Sequence, residues 1–203
     1  MLYDGFRKIY WGFILVFLEI HIIAIDILPD PVGYYLILSG LNLLKSRYHL
    51  DVKANYVAIL LVLVSIPTVF LQNNAMNQLG SASLITGWSI YMSVIGILNL
   101  VLAYFIFQVM ISIATKREDD YLQRRTTNTF KAYMIIMLLI TFFESFAMNM
   151  TRDLLMGYVT ISAIFGLIMN ITFLVLISRF SKVDDKGDGS LVKPSEHEET
   201  PTS

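Results

Sequence analysis

Six apolar runs divide this chain, and all but one of its basic residues fall at the two ends or in every second connector between the runs. Arg7 and Lys8 precede the first run, and Lys45, Arg47 and Lys53 fall between the second and third. Lys116, Arg117, Arg124, Arg125 and Lys131 fall between the fourth and fifth, and Arg179, Lys182, Lys186 and Lys193 follow the sixth. Of the 15 Lys and Arg residues, only Arg152 lands on the opposite side. Basic segments are retained on the cytoplasmic side during insertion, so this alternation predicts that both termini lie inside. The expectation is an all-α, polytopic membrane helix bundle with six transmembrane helices.

Composition agrees with that reading. Charged residues make up 15% of the chain, against about 25% in a soluble domain. The apolar residues come in long runs and not in alternation, which marks spans and not strands. Six spans of about 20 residues leave too little chain for a separate soluble domain of ordinary size. Residues 1–180 are expected to form one membrane domain, and 181–203 a polar, disordered cytoplasmic tail. There is no cysteine, which excludes disulfides and thiolate chemistry. The net charge of −1 carries no information about partners. The first apolar run contains Glu19 and Asp26 and lacks a small-residue cleavage site, so it reads as a retained span and not a signal peptide.

The spans are placed at about 9–28, 31–45, 54–71, 84–114, 132–150 and 154–178. Pro29 and Pro31 end the first and start the second, with Asp30 as a cap. The second run is short, and a re-entrant segment is its rival reading. Pro67 falls near the outer end of the third. The fourth is longer than a bilayer core requires, so it tilts or protrudes. The basic stretch 115–131 is read as a cytoplasmic loop that could continue as helix. Tyr10, Trp11, Tyr34, Tyr35 and Trp88 are placed as interfacial anchors. Glu19, Pro29-Asp30 and Gly33-Tyr34 in the first hairpin are echoed by Glu144, Arg152-Asp153 and Gly157-Tyr158 in the third. Chance in an apolar sequence explains this echo as well as hairpin duplication does.

Glu19 and Glu144 are the candidates for chemistry, because both are placed near mid-bilayer with no Lys or Arg at their depth. Charged groups there are costly, so both are expected to face the bundle interior, at least one of them protonated. Glu19, Asp26 and Asp30 fall within about 20° of one helical stripe, whereas His21 lies about 160° from Glu19. The acids could share a proton, bind a cation, or hydrogen-bond to His21, Asn42, Asn99, Gln108 or Asn170. The bland alternative is polar glue between helices. Asp30, Gly33, Tyr34, Arg152 and Asp153 are candidates in the outer hairpins, with Gly33 suited to close helix approach. Small residues Ser89, Ser93 and Gly96, and Ser162, Gly166 and Asn170, mark packing seams.

Other motifs fail. Asp184 to Gly189 resembles a calcium loop only faintly, because Lys186 takes a ligand position and Ser195 stands where the final Glu belongs. Asn149-Met150-Thr151 matches a glycosylation triplet but lies at the membrane face. There is no phosphate loop, zincin pair or serine elbow. No cofactor, metal or nucleic-acid partner is implied.

The stretch from Asp26 through Pro29, Asp30, Gly33 and Tyr34 has the pattern Asp-x-x-Pro-Asp-x-x-Gly-Tyr. In this it resembles the first hairpin of small, uncharacterised multi-span membrane proteins of Firmicutes-type bacteria. The resemblance covers about a fifth of the chain, implies a bacterial plasma membrane, and brings no activity with it. Two functions are carried forward. The first is a non-enzymatic structural or regulatory membrane partner, contacting a membrane protein or a second copy of itself within the lipid bilayer. The alternative is a small transporter or transporter subunit with Glu19 and Glu144 on a proton, cation or substrate path.

Overall fold

In the computed structural model, the described residues are 2–21, 30–48, 52–78, 82–144, 146 and 150–182. They form six α-helices and, among them, no strand: α1 (Leu2–His21), α2 (Asp30–Tyr48), α3 (Lys53–Gln78), α4 (Ala82–Lys116), α5 (Asp120–Glu144) and α6 (Arg152–Lys182). Each helix packs on its neighbour in the chain, and α6 returns onto α1, closing the bundle into a ring. Three helical stretches are long and apolar enough to cross a membrane: Ile90–Lys116, Asp120–Glu144 and Arg152–Lys182. Lys53–Thr68 is a shorter apolar stretch.

The seams follow the sequence spacing. Leu2, Phe6, Ile9, Phe13 and Val16 are buried along α1, and Tyr34, Ile37, Leu41 and Leu44 along α2. Asn170, Phe173, Ile177 and Phe180 repeat the pattern on α6. Steps of three and four residues keep one stripe of a helix facing its partner. Tyr34 belongs to this core and is not the interfacial anchor its outer position implied. Tyr35 and Trp11 are exposed as expected of anchors; the side chain of Trp88 lies outside the described set.

Glycine sets the closest contact. A Cβ built on Gly12 would stand 2.6 Å from the Gly33 carbonyl oxygen, and one on Gly40 would stand 2.5 Å from that of Gly5. Gly5 and Gly12 are seven residues apart, as are Gly33 and Gly40, so two antiparallel helices meet backbone to backbone at two levels. Lys8 donates to the Ser39 hydroxyl at 2.9 Å between those levels. Nearby, Asn55 of α3 donates to Asn42 of α2 at 2.6 Å.

Pro67 lies inside α3, which continues to Gln78, and next to the end of the apolar stretch Lys53–Thr68. A helical proline removes one backbone donor, and side chains can serve the carbonyls around it. Here Ser65 donates to the Val62 carbonyl at 3.1 Å, Thr68 to that of Ser65 at 2.7 Å, and Tyr91 of α4 to that of Val64.

The α4–α5 connection departs most from expectation. The stretch 115–131 is not a loop; residues 117–119 make a tight turn and α5 starts at Asp120. The amides of Glu118 and Asp119 donate to the carbonyls of Thr115 and Ala114, a Schellman closure with Glu118 in the left-handed region at φ 55°. Asp119 then caps α5, its carboxylate accepting the Leu122 amide at 2.9 Å. One aspartate both ends α4 and starts α5, which leaves no length for a loop.

Candidate functional site

Rings from four helices fill the centre of the bundle. Phe107 of α4 stands 4.8 Å from Phe173 of α6 and 5.4 Å from Tyr133 of α5, centroid to centroid. Phe13 of α1 meets Phe173 edge-on at 5.0 Å, and Phe130 extends the layer toward Tyr104. Below it, Phe6 packs on Phe180 at 5.2 Å. Aromatic pairs at these separations are favourable beyond their buried area. The one polar group in the layer is satisfied: the buried Tyr133 hydroxyl donates to Asn170 at 3.3 Å. Apolar rings of Phe107 and Phe173 stand around the Tyr133–Asn170 pair.

Of the candidate acids, Glu144, Asp30 and Asp153 lie among the described side chains. Glu144, expected at mid-bilayer and facing inward, is the last residue of α5 and is exposed. α5 begins at Asp120 and not at residue 132, so it has 25 residues and rises about 37 Å. Glu19 and His21 lie on the last turn of α1, but their side chains, like Asp26 entirely, fall outside the described residues. Asp30 opens α2 and is half-buried, so it starts the second helix and does not extend a stripe of the first. Arg152 and Asp153 open α6 and are exposed.

The polar residues offered as partners for the acids are differently engaged. Asn170 serves Tyr133, and Asn42 serves Asn55. Gln108 is half-buried on α4. The side-chain oxygen of Asn99 is buried with no hydrogen-bond partner among the described residues.

The two outer hairpins also differ. Gly33 and Tyr34 are buried against α1, whereas a Cβ on Gly157 would meet nothing within 4 Å. Tyr158 instead reaches across to α5, donating to the Ile140 carbonyl at 2.7 Å. The echo in sequence is not an echo in packing.

The half of α5 toward Glu144 and the half of α6 toward Arg152 are apolar and uncovered. Leu138, Leu139, Phe142 and Phe143 of α5, and Leu154 and Ile161 of α6, are all exposed. On α6, burial among the described residues is confined to Asn170 and beyond. An apolar face of this extent is foreign to a monomer in water and suits lipid or another membrane helix.

No family model matches the chain, and neither a curated protein nor a solved structure matches it.

Proposed function

We propose that this chain is a six-span integral membrane protein that acts by contact with another membrane protein, and not by chemistry or by conducting a solute along its axis. The observation that carries this reading is the aromatic layer of Phe13, Phe107, Tyr133 and Phe173, which packs the bundle where a path would run. A transporter of the kind considered above needs polar groups converging inside the bundle, whereas the Glu144 side chain is exposed on α5. The uncovered apolar outer halves of α5 and α6 supply the surface for a partner.

In this reading all six helices cross the bilayer, with both termini on the cytoplasmic side. Three stretches have the length and hydropathy to span unaided. α1 and α2 carry Lys8, Lys45 and other charges, and their close glycine pairing supports insertion as a hairpin. The hairpin motif from Asp26 to Tyr34 supports a bacterial plasma membrane.

A photoreactive residue placed at Leu139 or Ile161 in intact cells tests the contact. A discrete adduct with another membrane protein or a second copy of this chain is expected. Adducts with lipid alone at both positions overturn the reading. In liposomes, measurable proton or cation flux that Glu144→Gln abolishes would establish the transport reading in its place.

A further inference from the structure

The last helix has two different faces. On one, Phe173, Ile177 and Phe180 are fully buried in the bundle. Ile164, Ile168 and Ile171 each stand nine residues earlier in the chain, half a turn around the helix at about 100° per residue. They therefore mark the opposite face. Leu154, Ile161, Ile168 and Val175 stand seven residues apart along it, and Ile164 and Ile171 follow three residues after Ile161 and Ile168. All six are at least 45% exposed.

This is a heptad seam, apolar at its first and fourth positions. A seven-residue repeat of that kind lets two helices supercoil and interlock side chains along their length. From Leu154 to Val175 it rises about 32 Å, and a hydrocarbon core is about 30 Å thick. Of the five isoleucines of α6, four lie on the seam and the fifth, Ile177, is in the core. β-Branched side chains hold one preferred χ1 rotamer in a helix, so packing them costs little freedom. Lipid is as apolar as isoleucine, and helices in a membrane associate through shape and not through hydrophobicity. A regular row of stiff side chains offers shape to another helix and gains nothing against fluid chains. Below Val175 the seam ends at Ser178, and the long side chains of Arg179 and Lys182 follow in the last turn, where they reach the aqueous layer.

The occupant must carry the same repeat at the same depth. Every copy of this chain inserts in one orientation, so α6 of one copy runs parallel to α6 of the next, each isoleucine level with its counterpart. The area is also sufficient. A helix face about 11 Å wide covers about 350 Å² over the seam and about 200 Å² over the exposed half of α5 beside it. Two copies then bury about 1,100 Å² in total, above the roughly 1,000 Å² expected of a specific interface. We propose that a second copy of this chain covers this face, with α6 packed parallel on α6 from Leu154 to Val175. The inference rests on the contact reading above and names its partner.

The chain has no cysteine, so single cysteines report without background. In native membranes under mild oxidation, Ile164→Cys and Ile168→Cys are expected to form disulfide-linked pairs of the chain. Val159→Cys is the control, because Val159 is as exposed as Ile164 but about 140° away around the helix; its linked fraction should be at least about fivefold lower. Light scattering of the wild type in neutral detergent should give the mass of two or more chains. Ile164→Ala combined with Ile168→Ala should raise the protein concentration needed for assembly by about tenfold or more. Equal linkage at Val159 and Ile168, or unaltered assembly of the double alanine variant, overturns the seam. A monomer whose photoadducts at Ile161 are with a different membrane protein overturns the second copy and keeps the contact reading. A monomer with lipid adducts alone at Leu139 and Ile161 overturns both.

Discussion

Glu118 holds a left-handed backbone, at φ 55°, that L-residues with a Cβ adopt at a cost. The turn at 117–119 needs that conformation, because the Schellman bonds to Ala114 and Thr115 close only through it. Glu118→Gly should therefore raise stability by about 1 kcal/mol. Asp119→Ala should lower it by about 1 kcal/mol through loss of the α5 cap. Both are read by thermal melting in detergent, and opposite signs are the expected result. The same residue scale shows why the tight α4–α5 turn was not read from the sequence. The cap Asp119 is visible as a residue, but a glycine is the usual sign of such a helix end. With Glu118 in that position, the basic stretch reads as a loop.

At the scale of elements, the α1–α2 pair is built on four glycines whose backbones touch. Gly33→Leu or Gly12→Leu has no space to occupy, because carbonyl oxygen as well as side chain stands in the way. Each should destabilise the protein by about 3 kcal/mol or more. Gly157→Ala and Gly166→Ala meet nothing within 4 Å and should be neutral or slightly stabilising. Equal melting temperatures for wild type and Gly33→Leu would show that the helices do not meet there. Gly33 was singled out from its place at the start of the second apolar run, and the seven-residue spacing within each pair is present in the sequence. What spacing along one chain segment does not contain is the register between two segments. That register pairs Gly5 with Gly40 and Gly12 with Gly33, and it also sets Lys8 beside Ser39.

For the whole molecule, the ring of six helices is closed by α6 packing on α1, and the rings of Phe13, Phe107 and Phe173 meet where α1, α4 and α6 converge. Phe107→Ala should cost about 3 kcal/mol and loosen several helices at once. Tyr133→Phe should cost well under 1 kcal/mol, since interhelical hydrogen bonds in membranes average about 0.6 kcal/mol. Melting of the two variants checks that the layer is held by packing and not by its polar pair. Orientation is tested separately. Reporter fusions after Ser81 and near Asn149 should report an external location, and fusions near Asp51, Asp120 and Ser190 a cytoplasmic one. A cytoplasmic signal at Ser81 would remove the six-span arrangement.

Helical class and the presence of helices long and apolar enough to cross a membrane were legible in the sequence alone, because both depend on local quantities. Long apolar runs must satisfy their backbone internally, and only a helix does so within one segment. The candidate site was legible only as a set of residue types. Glu144 and Asp30 were found as acids, but how each side chain is covered depends on how the helices pack: Glu144 is exposed on α5 and Asp30 is half-buried at the start of α2. Phe107, Tyr133 and Phe173 looked like any other apolar residues until three helices brought them within 5.4 Å of one another. Hydropathy measures what each residue does with water or lipid. Only the tertiary structure sets which residues exclude both by packing on each other.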